Sequence, residues 1–70
     1  MSIKIRLLQH RLTQTWLIYQ LERLGVSVDK FTLCTILSGT RKGPFANHVL
    51  DLSDLALKKY EESYERQFNS

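Results

Sequence analysis

Three short groups of residues have the types and spacing to do chemistry, and what they suit is holding a polyanion rather than making or breaking bonds. Thr13, Gln14 and Thr15 follow one another at the expected start of a helix. Two hydroxyls, an amide and the free backbone N–H groups of a first helical turn could there bind one phosphate together. Lys30, Phe31, Thr32 and Thr35 fall at the start and on the outer side of a further expected helix, a set of short polar, basic and aromatic side chains able to reach base edges. Arg41 and Lys42 follow in a loop bounded by Gly39 and Gly43, where they could clamp a second phosphate or simply be solvated.

Nothing comparable points to catalysis. The single cysteine, Cys34, excludes an internal disulfide and fits a reducing cytoplasm. Between Leu33 and Thr35-Ile36-Leu37 it reads as a half-buried, inert side chain, without the cationic neighbour that makes a thiol reactive. His10 and His48 stand far apart with no second cluster of ligands, so neither a metal site nor a cofactor is expected. No paired carboxylates flank a cleft, and no serine or cysteine has a histidine at useful spacing, so an enzyme is not expected.

The elements that must position these residues are helices. Ser2 can cap a first helix running to about His10, with Ile5, Leu8 and Leu12 on its buried side and Lys4, Arg6 and Arg11 left for solvent or phosphate. Thr13 caps the next helix, whose Leu17, Leu21 and Leu24 recur at three and four residues until Gly25 stops it. Gly25 to Val28 is a short apolar turn. Asp29, or failing it Ser27, caps a third helix with Leu33, Ile36 and Leu37 as its buried stripe, ended by Gly39. Pro44 suits the first turn of a last helical segment that reaches about Gln67. Ser53-Asp54 there favours two pieces, roughly 44–52 and 54–67, which could merge into one long helix.

A chain of 70 residues is one domain with one modest core. The expected class is all-α: a single domain over 1–70, with a helix–turn–helix core at 13–38 and a C-terminal helical segment at 44–67. Met1 to Leu8 lacks the apolar run of a signal peptide, and no stretch is long enough for a membrane span, so no membrane partner and a cytoplasmic location are expected. The charge is divided. Residues 1–43 hold seven lysines and arginines against two carboxylates, and residues 44–70 hold three against five. A basic first part beside an acidic tail points the first part at a polyanion. Asp51, Asp54, Glu61, Glu62 and Glu65 read as a solvated helix face.

Two short helices joined by a glycine-containing turn, the second also ending at glycine, have the outline of a helix–turn–helix. Leu12-Thr13-Gln14-x-x-Leu17 and Leu33-Cys34-Thr35-Ile36-Leu37-Ser38-Gly39 resemble the scaffold-helix opening and the recognition-helix end of the Cro and phage-repressor-like regulators. The resemblance extends at the level of architecture over about residues 3–57. It implies a small four- to five-helix lambda-repressor-like domain that binds double-stranded DNA as a transcriptional regulator, as in phages and mobile elements. It would place the phosphate-contacting glutamine at Gln14 and the base-reading positions at Lys30, Phe31, Thr32 and Thr35. The chain departs from the family pattern at Ile18-Tyr19, where a small residue is usual, and in a turn about two residues longer.

Leu57, Tyr60 and Tyr64 form a stripe near the C-terminus that would either cap the core or pair two copies. A helix–turn–helix unit contacts few bases, so a homodimer through this stripe is expected. Trp16 reads as packing or interface. A protein-binding module on the same scaffold, such as an antirepressor or an inhibitor using Trp16 and the tyrosines on a protein partner, is the alternative.

Overall fold

A computed structural model describes the chain from Ser2 to Asn69, with side-chain environments to Ser63. Four helices follow in order: α1 Ile3–Gln9, α2 Gln14–Arg23, α3 Lys30–Leu37 and α4 Pro44–Asn69. Each of the first three begins where a side-chain oxygen satisfies an amide of the first turn. The Ser2 hydroxyl accepts from the Ile5 N–H at 3.4 Å, the Thr13 hydroxyl from Trp16 at 3.1 Å, and the Asp29 carboxylate from Thr32 at 3.3 Å. At the end of α2, Gly25 at φ 92° lets the Val26 N–H reach back to the Leu21 carbonyl at 2.9 Å, closing the helix. The end of α1 closes in the same way, with the Leu12 N–H on the Leu7 carbonyl at 2.8 Å, but the residue in the left-handed conformation is Arg11 at φ 57°.

α4 is one helix, not two. Ser53 lies fully buried at its middle, and its hydroxyl donates to the Val49 carbonyl one turn back at 2.7 Å. A serine that bonds back into its own helix fills its hydrogen-bonding needs without starting a new one. A 26-residue helix is about 39 Å long at 1.5 Å per residue, which accounts for the 40 Å long axis of the molecule.

α4 is also the spine of the core, since α1, α2 and α3 all pack on it while α2 and α3 pack on each other. Leu7 from α1, Leu17 and Leu21 from α2, Val28 from the turn, and Leu33 and Ile36 from α3 meet Ala46, Val49, Ala56 and Leu57 of α4. The buried stripe of α4 mixes the small Ala46, Ser53 and Ala56 with the larger Val49 and Leu57. Each fully buried leucine contributes roughly 1.5–3 kcal/mol of transfer free energy.

The first helix is rotated relative to the sequence expectation. Ile5 and Leu8 are exposed, and Leu7 with the partly buried Ile3 faces the core. The rotation turns Arg6 and His10 toward α4, where both have partners. Leu24, expected in the α2 stripe, sits past the end of the helix and is about one-third exposed. Among the described residues, no helix is long and apolar enough to cross a membrane.

Candidate nucleic-acid interface

The first turns of α2 and α3 open onto one shallow groove of about 780 Å³, lined by Thr13, Gln14, Thr15, Lys30, Phe31 and Cys34. First-turn residues of both helices therefore line the same space, and each first turn carries free amides and the positive end of its helix dipole. The two ends are not equivalent. The cap of α2 is the neutral Thr13, whose hydroxyl accepts from Trp16 and keeps its own hydrogen to donate. The cap of α3 is Asp29, whose carboxyl is held below its ordinary value by hydrogen bonding to Thr32, from the side chain first and from the backbone N–H next. An ionised carboxylate already occupies the positive end of α3. An incoming anion is therefore favoured at α2, beside Thr13, Gln14 and Thr15.

Lys30 and Phe31 stand on the exposed first turn of α3, with Phe31 77% exposed. Thr32 and Thr35 are half-buried on the flank of the helix, and the Thr35 hydroxyl donates to the Thr32 carbonyl at 2.7 Å. That bond leaves Thr35 only acceptor capacity toward the outside. Cys34, expected to be half-buried, is exposed and lines the groove with Phe31. The signal for it is in the spacing: residues 30, 31 and 34 fall within one sector of about 100° of the helix, away from the buried Leu33 and Ile36. The apolar neighbours of Cys34 in the sequence mask this.

Arg41 and Lys42 are exposed beyond the other end of α3 and do not line the groove. The Arg41 N–H bonds the Thr35 carbonyl at 3.0 Å, which folds this loop back against the helix end. Among the described residues, neither they nor Lys30 has a carboxylate within ion-pair distance.

Arg6 is different. The sequence pattern leaves it for solvent or phosphate, but its side chain is 13% exposed and clamped by two carboxylates of α4, Asp54 at 2.5 Å and Glu61 at 2.8 Å. Glu61 also meets His10 Nε2 at 3.0 Å, and Asp54 meets Lys58 at 3.1 Å. Asp54 and Glu61 are thus ion-paired to the body of the protein rather than part of a merely solvated face. Hydrogen bonding to Arg6, before all other causes, holds both carboxyls below their ordinary values.

The expected pairing stripe separates into unlike parts. Leu57 is fully buried in the core of its own chain, so it has no surface to offer a second copy. Tyr60 is half-buried, with its ring edge-on to His10 at 5.3 Å and to Trp16 at 5.7 Å between centroids. Tyr64 lies outside the residues whose side chains are described. Compared with known proteins, the chain matches no family model, no curated protein and no solved structure.

Proposed function

We propose that the chain is a sequence-specific double-stranded-DNA-binding transcriptional regulator, a repressor of the lambda-repressor-like helix–turn–helix type that works in the cytoplasm by occupying an operator. The observation that carries this reading is the meeting of the α2 and α3 first turns in one open groove, with cations on α3 and in the loop after it that have no carboxylate partner among the described residues. The α2 end, with Thr13, Gln14 and Thr15, takes a backbone phosphate. α3 then lies in the major groove with Lys30 and Phe31 toward base edges, Thr32 and Thr35 at the side, and Arg41 and Lys42 on a phosphate further along.

Two copies on a two-fold site would double the contacted sequence. The pairing surface then excludes Leu57 and uses what remains exposed. Molar mass by light scattering, with and without duplex, reads this directly.

A second reading has an observation of its own. Trp16, Gln20, Arg23, Leu24, Ala56, Lys59 and Tyr60 line a groove between α2 and α4 that is half apolar, as a protein-binding module would need. Salt separates the two. Binding to phosphates should weaken with a log–log slope of about −0.9 per phosphate neutralised, whereas an apolar protein contact should hardly respond. Titration of the chain against labelled duplex fragments at low and physiological salt is therefore the test. Selective, salt-sensitive binding supports the regulator, and no binding above background at either salt ends it.

A further inference from the structure

Phe31 is the most exposed of the large apolar side chains in the described part of the chain, and none of the others lines the α2–α3 groove. Cys34 lies one helical turn on, in the same groove. An apolar ring and a thiol thus line one groove together with the cationic Lys30 and the polar Thr13, Gln14 and Thr15. The ring does not serve the core, since the buried stripe of α3 is Leu33 and Ile36 on the opposite side. Left in water, it costs solubility and gives nothing to folding.

Resting on the DNA reading above, we propose that Phe31 and Cys34 together read the 5-methyl group of thymine, so that the preferred half-site carries thymine opposite the first two turns of α3. The occupant follows from chemistry. The α2 end, with Thr13, Gln14 and Thr15, is complementary to the phosphates that flank a major groove. Inside that groove only the thymine methyl offers an apolar surface; guanine, cytosine and the adenine edge present donors and acceptors. A phenyl ring has no hydrogen bond to give them. Placed against cytosine it would strip water from the exocyclic amine and replace it with nothing, a penalty that rejects the wrong base. Cys34, with a weak S–H donor on a mostly apolar side chain, extends the methyl-binding surface without restoring a strong polar contact. Among the four major-groove patterns, then, this face favours thymine by attraction and disfavours cytosine by desolvation.

The test begins with selection of duplexes by the full-length chain from a randomised pool. Thymines of the enriched site are then replaced one at a time by deoxyuridine, which removes only the methyl group. Dissociation constants are measured for the wild type, Phe31→Ala and Cys34→Ser, with circular dichroism to confirm unchanged helix content. At one or two positions, deoxyuridine should weaken wild-type binding about three- to fivefold, the worth of one buried methyl. The same replacement should have no further effect on Phe31→Ala, because the partner of the methyl is already gone. Enrichment of sites in which no thymine is sensitive overturns the proposal, as does an equal deoxyuridine penalty in Phe31→Ala, while DNA binding itself would stand. If no duplex is enriched, the DNA reading falls and this inference with it.

Discussion

Arg6 on α1 and Lys30 on α3 bring the same charge to opposite surroundings. Arg6 is largely covered and held between Asp54 and Glu61, so its charge ties the first helix to the last. Lys30 is exposed, lines an open groove and, like Arg41 and Lys42, has no carboxylate within ion-pair distance among the described residues. The surplus of basic residues in the first part of the chain is therefore not one patch. Part of it is structural and already neutralised, and part is available to a polyanion. Which cations are engaged internally, rather than how many there are, decides where an anionic partner can sit.

That contrast can be broken from either side. The largest change in stability should follow Arg6→Ala, which leaves two carboxylates without their shared partner. The loss should be about 1–2 kcal/mol, a drop of several degrees in melting temperature for a domain of this size, with duplex affinity at 10 °C unchanged. Retained stability, or a parallel loss of affinity in protein that remains folded, would place Arg6 on the wrong side of the comparison.

Acid should undo the same clamp. Because Asp54 and Glu61 both titrate below their ordinary values in the folded chain, the unfolded chain binds their protons first. Their contribution is present at neutral pH and is lost as the pH falls below about 4 and through the depressed folded values. Urea unfolding from pH 6 to pH 2.5 should show this loss, and Arg6→Ala should flatten the dependence. An equally steep decline in the variant would assign the acid sensitivity to other carboxyls, Asp29 first among them.

A smaller effect is expected where the two helix ends close alike with unlike residues. Gly25 occupies the left-handed position after α2 and Arg11 occupies it after α1. Arg11→Gly should raise stability by about 0.5–1 kcal/mol by relieving the side-chain strain, a gain partly offset by the freer unfolded chain. A loss of stability would show that the Arg11 side chain makes up for its backbone.

The smallest change in stability belongs to Lys30→Ala, within about 0.5 kcal/mol as for an exposed, unpaired side chain. Its effect should appear in binding alone.

The local grammar of the chain was legible. Ser2, Thr13 and Asp29 cap the helices for which their hydroxyls and carboxylate suit them, and Gly25 closes α2, because such contacts span three or four residues and depend on little else. The all-helical class followed from the apolar period. What was hidden is nonlocal. Arg6 finds its partners 48 and 55 residues away, and no spacing rule joins positions so far apart. The Leu57 stripe was visible as a stripe, but whether it faced its own core or a second copy depended on where α1 and α2 lie. Ser53 fits a capping pattern in the sequence, but it is fully buried and bonds back to the Val49 carbonyl within one continuous helix. At the candidate site, the residue types at 13–15 and 30–31 stood out in the sequence. Their convergence on one groove, and the place of Cys34 within it, came only from the packing of α2 on α3.

In the proposed reading Arg41 and Lys42, with no carboxylate in reach among the described residues, meet phosphates while Arg6 does not. The most direct measurement is the affinity for a selected duplex across a range of salt, for wild type, Lys30→Ala, Arg41→Ala and Arg6→Ala, at a temperature where all four are folded. A steep wild-type slope is expected, reduced by about one in Arg41→Ala and unchanged in Arg6→Ala, while Lys30→Ala lowers affinity with a smaller change of slope. A wild-type slope near zero, or a slope altered by Arg6→Ala and not by the α3 cations, would contradict it.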